Sequence, residues 1–112
     1  MKLTKSEFHT LYNNILTQIE NTLDHVNYEN DLDYEINHHI MVISFSKKNK
    51  IIISKQESLR QIWLATKQNG YHFNYKNNNW ICNRSKINFW HILKQACYLQ
   101  GSMKITLENL II

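Results

Sequence analysis

The 112-residue chain contains no proline, two glycines and two cysteines, and each scarcity removes a class of function. With only Gly70 and Gly101 available, no glycine-rich loop can wrap backbone amides around a phosphate. Cys82 and Cys97 lie in the apolar surroundings "WICN" and "QACYL" without Cys-x-x-Cys or Cys/His spacing, so neither a zinc site nor a disulfide framework is indicated. A reducing cytoplasm fits that usage. No apolar run reaches the roughly 18 residues that a membrane span needs, and "MKLTKSEFHT" lacks the apolar core of a signal peptide. No spacing supports a nucleophile beside a base, so ordinary catalysis is not expected. These exclusions leave a soluble single domain over residues 1–112, long enough to bury one core.

Charge is what the chain does have, and it is unevenly placed. Residues 1–35 carry seven acids against Lys2 and Lys5, about −5, whereas residues 36–112 carry eleven Lys and Arg against Glu57 and Glu108, about +9; the two sum to the net +4. Two differently charged surfaces are therefore expected, which steer association rather than determine fold.

Hydrophobic periodicity supplies the architecture. Thr4 and Glu7 form a capping box with Leu3 and Phe8 as its staple, and Phe8, Leu11, Tyr12, Ile15, Ile19, Leu23 and Val26 continue one apolar helical stripe. From Asp31 the period changes to two: Leu32, Tyr34 and Ile36 point one way, Asp31, Asp33 and Glu35 the other. Asn37 to His39 reads as a hairpin turn into "IMVISF", after which "IIIS", "QIWLA", "GYHFNYK" and "NNNWICN" read as further strands. "NFWHILKQACYLQG" is a helix from an Asn88 cap to a Gly101 stop, with Phe89, Ile92 or Leu93, Ala96 and Leu99 or Gln100 as its core stripe. The tail "MKITLENLII" is either a last strand or an apolar strap across the helices. The expected fold class is α+β: a two-layer sandwich with the N- and C-terminal helices packed on one face of a five- to six-stranded antiparallel meander sheet.

Two features of that fold could carry chemistry. Glu20 and Asp24 share the outer face at the end of the first helix, and His9 lies on the same side of the helical wheel. If the helix end adjoins the first strand, Asp31, Asp33 and Glu35, with Glu29 in the connection, extend them into one carboxylate ridge. Such an oxygen-rich site suits a hard cation, and an imidazole shifts the preference toward iron or manganese. A solvated edge that resists aggregation by like-charge repulsion explains the same acids, and the spacing alone leaves both readings open. His38 and His39, adjacent in an extended segment, are a turn rather than a ligand pair. Trp63 is the second feature. It alternates with the inward Ile62 and Leu64, so it points to the helix-free sheet face with Gln61 and Gln56 nearby, either as a protein-partner anchor or as plain cross-strand packing.

The segments "SEFHTLYNNILTQIE", "LDYEIN", "IIISKQESLRQIWLATK", "GYHF" and "WICNRS" followed by "FW" resemble the bacterial frataxins, the CyaY family, from about Ser6 to Gly101. That resemblance implies an iron-binding accessory or regulator of iron–sulfur cluster assembly, not an enzyme. Carried over by position, it implies iron (Fe2+ or Fe3+) on Glu20, Asp24, Glu29, Asp31, Asp33 and Glu35 with His9 nearby. Asn21, His25 and Asn27 stand where bacterial relatives commonly carry acids, so weak binding is expected. The implied partners are the cysteine desulfurase at the acidic ridge and the iron–sulfur scaffold protein at Gln56, Gln61 and Trp63. Neither nucleic acid nor membrane is expected as a partner, and the chain is expected to be a monomer. A rival reading from another class is a small nucleic-acid-binding module using the basic surface with Trp63 as a stacking platform. Against it, Lys47, Lys48, Lys50, Lys76 and Lys94 are spread over turns and a helix. A second rival is an adaptor that has lost metal binding.

Overall fold

The computed structural model describes residues 3–26, 32–46 and 48–101. Helix α1 (Lys5–Val26) is followed by strands β1 (Asp33–Asn37), β2 (Ile40–Ser46), β3 (Asn49–Gln56), β4 (Gln61–Ala65), β5 (Gly70–Lys76) and β6 (Asn79–Cys82), then by helix α2 (Phe89–Gly101). A single 3-10 turn, Glu57–Leu59, links β3 to β4. The six strands form one antiparallel sheet in sequence order, the expected meander at its upper strand count. Glu29, Asp31 and the tail after Gly101 lie outside the described residues.

Local chemistry starts both helices where the sequence indicates. The Thr4 amide donates to Glu7 Oε1 at 2.9 Å and the Glu7 amide to Thr4 Oγ1 at 3.1 Å, satisfying two amides at the helix start reciprocally. At α2, Asn88 Oδ1 accepts from the Trp90 amide at 2.7 Å. Gly101 is the last helical residue rather than a stop beyond it. A Cβ there would overlap the Phe45 ring, so close approach explains the glycine. Two hairpins close with both central residues at positive φ: His38 (53°) and His39 (66°), and Asn77 (48°) and Asn78 (64°). This backbone matches the right-handed twist of the flanking strands, and asparagine and histidine are among the non-glycine residues enriched at positive φ.

Strand alternation builds one buried face. Met41, Ile43, Ile51, Ile53, Ile62, Leu64, Phe73, Trp80 and Cys82 meet Phe8, Tyr12, Ile15, Leu16, Ile19 and Leu23 of α1 and Phe89, Ile92, Leu93, Ala96 and Cys97 of α2. Both helices therefore lie on the same sheet face. Of the two positions read from sequence as the end of the α2 core stripe, Leu99 is 58% exposed and Gln100 half-buried, and Cys97 adds a fully buried position that the stripe had not included. No helix among the described residues is long and apolar enough to cross a membrane.

Candidate functional site

The acids of α1 and β1 come together around a tyrosine. Tyr34 faces the helix layer, since it pairs with Ile43, and its hydroxyl donates to Asp24 Oδ1 at 2.6 Å. That bond ties the end of the helix to the edge strand. The Asp24 carboxylate accepting its proton, then burial, then the charges of Asp24 and Glu20, push the Tyr34 phenol up to about 12. Glu20 is half-buried and Asp24 exposed. Asp33 and Glu35 are exposed on the other side of the same strand, paired with Ser44 and Val42, because successive side chains alternate faces.

The expected single ridge is thus divided. Glu20 and Asp24 lie on the helix side of β1, Asp33 and Glu35 on the sheet side, with the thin strand between them. Among the described residues, no three His, Cys, Asp or Glu side chains converge on a metal-sized gap. Among the described residues the ion pairs are those of Glu57 with Lys5 and His9, and none of them involves the four edge carboxylates. Chemically this is an open, hydrated edge offering hard oxygen donors from two sides.

His9 sits elsewhere. It is eleven residues before Glu20, about 16 Å along the helix axis, and its ring belongs to a polar cluster at the other end of α1. Nε2 bonds Glu57 Oε1, while Nδ1 accepts from Lys55 Nζ at 2.7 Å. Lys5 Nζ approaches the other Glu57 oxygen at 3.7 Å. The hydrogen bond from His9, opposed by burial and aided by the charges of Lys5, His9 and Lys55, holds the Glu57 carboxyl below its usual range. The His9 wheel position was legible; its Glu57 partner, 48 residues away, left no local signal.

Trp63 stands on the helix-free face, half-buried by its neighbours. Its ring stacks on His72 with centroids 4.2 Å apart and planes 10° from parallel. Its Nε1 donates to Gln61 Oε1 at 2.9 Å, and Gln61 Nε2 donates to Asn74 Oδ1 at 3.3 Å. Gln56 pairs with Gln61 across β3 and β4, placing all three expected partner-binding residues on one surface. Sequence reasoning left His72 and Asn74 without a role. Counting the β4–β5 register outward from the turn at Thr66 to Asn69 would have set His72 opposite Trp63.

Comparison with known proteins agrees with this architecture. The family model for the frataxin-like domain matches residues 1–103. A protein of Buchnera aphidicola subsp. Acyrthosiphon pisum (strain Tuc7), named iron–sulfur cluster assembly protein CyaY, is 54% identical over 101 residues, covering 90% of this chain and 87% of that one. A like-named protein of Buchnera aphidicola subsp. Schizaphis graminum is 46% identical over 106 residues, covering 95% and 84%. Among solved structures, the frataxin from Psychromonas ingrahamii superposes with a TM-score of 0.83 at 33% identity, covering 92% of this chain and 96% of its own. The trimeric frataxin of Saccharomyces cerevisiae, complexed with ferrous iron, shares the fold at a TM-score of 0.72 and 20% identity, covering 92% and 90%. The chain belongs to the frataxin family, among its CyaY members.

Proposed function

We propose that this protein is a non-enzymatic accessory of iron–sulfur cluster assembly that binds iron weakly and supplies it to, or modulates, a cysteine desulfurase–scaffold complex. The observation that carries this reading is the carboxylate edge, with Glu20 and Asp24 joined to β1 through Tyr34 and no ion pair among the described residues, in a chain of the frataxin family. Carboxylate oxygens suit ferrous and ferric ions, and with no enclosing wall a bound ion keeps several waters, which makes exchange rapid and affinity low. Glu29 and Asp31 complete the proposed ligand set together with Asp33 and Glu35; His9, engaged by Glu57 and Lys55, serves the other end of the helix. The same charge draws a basic surface of the desulfurase, while the rigid indole of Trp63, with Gln56 and Gln61, meets the scaffold.

An anaerobic Fe2+ titration followed by amide NMR tests the iron assignment. Perturbation of Glu20 to Asp24 and Asp33 to Glu35 is expected. Shifts confined to other residues, or none at about millimolar metal, would overturn it.

A further inference from the structure

On the helix side of the sheet a cleft opens between α2 and the turn that joins β4 to β5. Thr66 and Gln68 line it from the turn, and Ile92, Ala96 and Leu99 from the helix. Tyr71 of β5, which faces the helix layer opposite Leu64, completes the lining. The cleft holds about 290 Å³, part of it open to solvent. That falls below the roughly 300–1,000 Å³ of a small-molecule site and suits a single side chain. Leu99, 58% exposed, leaves apolar surface in water at the rim.

Both walls are fixed by hydrogen bonds. Gln100 Oε1 accepts from the Lys67 amide at 2.9 Å and Gln100 Nε2 donates to Asn49 Oδ1 at 2.7 Å, tying the end of α2 to the β4–β5 turn and to the start of β3. Within the turn, Thr66 Oγ1 accepts from the Asn69 amide at 3.1 Å. A cleft formed in advance needs little ordering when it is filled.

Cations flank it. Lys67, between Thr66 and Gln68, is exposed, and Arg84 Nη2 donates to the carbonyl of Gly70, the residue before Tyr71, at 3.0 Å. Neither belongs to an ion pair among the described residues. Residues 48–101 contain one acid, Glu57, and β4 separates it from the cleft by placing it in the turn at the other end of the sheet. No carboxylate from the cleft's own elements therefore opposes an anion there. A phosphate backbone would use the cations and leave Leu99, Ile92 and Ala96 uncovered, whereas an acidic peptide with one apolar side chain uses both.

We propose that the cleft between α2 and the β4–β5 turn binds a short acidic segment of a protein partner, with one apolar side chain seated against Leu99 and Tyr71 and carboxylates on Lys67 and Arg84. This site is separate from the carboxylate edge and from Trp63, and does not rest on the roles assigned to them.

An amide NMR titration with a short synthetic peptide of Asp and Glu around one leucine tests it. Shifts are expected at Lys67, Tyr71 and Leu99, and replacing the peptide's leucine by alanine should weaken binding about 5-fold or more. Lys67→Glu should weaken it about 10-fold at about 50 mM salt. Lys76→Glu makes the same change in net charge at the far end of β5 and should stay within about 2-fold of wild type. Equal binding of the leucine and alanine peptides overturns the cleft. Equal losses in Lys67→Glu and Lys76→Glu reduce the attraction to net charge and overturn the site. Shifts confined to other residues, or none at about millimolar peptide, overturn the proposal, as does a DNA duplex that moves the same amides at lower concentration than the peptide.

Discussion

Trp63 is gripped from two sides, whereas Asp24 is held, among the described residues, by one phenolic hydrogen bond. Stacking on His72 and the chain through Gln61 to Asn74 fix the indole's position on the helix-free sheet face. Glu20, Asp24, Asp33 and Glu35 concentrate charge at the sheet edge with little to fix their geometry, and no cation among the described residues neutralises them. The first arrangement favours a shape-specific contact that survives salt. The second favours labile, hydrated cations and long-range steering that salt weakens. One small fold thus separates recognition by shape from recognition by charge across the width of its sheet.

The largest expected effect breaks the rigid half. Trp63→Ala removes the anchor from an outward-facing position, so scaffold affinity should fall about 100-fold, while the thermal midpoint moves by no more than about 3 °C. Calorimetric titration and a melt check both parts. At the charged half, the double variant Glu20→Gln/Asp24→Asn should lower ferrous affinity about 10-fold and leave scaffold binding unchanged, because these residues lie on the helix side of β1. Metal competition against a colorimetric chelator measures the first effect. The comparison fails if either variant changes both affinities equally.

Two smaller effects report on how α1 is attached. The Glu57 carboxyl is depressed in the folded state, chiefly by its hydrogen bond to His9. A depressed carboxylate stabilises above its unfolded pKa, about 4.3, and that contribution is lost as pH falls through the folded value. Glu57→Gln should therefore lower stability at neutral pH and remove part of the acid-induced loss below about pH 4.3, so that the two proteins converge at low pH in urea midpoints measured across a pH series. Tyr34 has the opposite sign: its phenol is raised to about 12, so its contribution is present below the unfolded value near 10 and lost as pH rises toward 12. Asp24→Asn should bring one tyrosine's ultraviolet titration back toward about 10, and Tyr34→Phe should remove that late-titrating component.

Much of this division was legible in local pattern. The capping box at Thr4 and Glu7, the period-2 runs and the outward position of Trp63 are decided within a few residues, and the structure follows them. The hairpin at His38 and His39 was legible from the polar break, and histidine is one of the few non-glycine residues enriched at the positive φ both adopt. What local pattern missed depends on distances between elements. The helical wheel puts His9 on the same side as Asp24, yet a wheel discards position along the axis, and Lys55 and Glu57 claim the ring instead. The β1 alternation was read correctly, but only the Tyr34–Asp24 bond shows that the helix acids lie on the Tyr34 side and hence opposite Asp33 and Glu35. The Trp63–His72 stack required the register of a hairpin whose turn, Thr66 to Asn69, is four residues long.

The most direct test is a single anaerobic NMR sample in which Fe2+ is added to saturation before the scaffold protein. Ferrous ion should broaden or shift the amides of Glu20, Asp24, Asp33 and Glu35 while the Trp63 indole signal stays in place, and the scaffold should then move the indole without restoring the edge. A ferrous perturbation centred on Trp63 or His9, or a scaffold that displaces the metal-dependent shifts at the edge, would contradict the separation of the two surfaces.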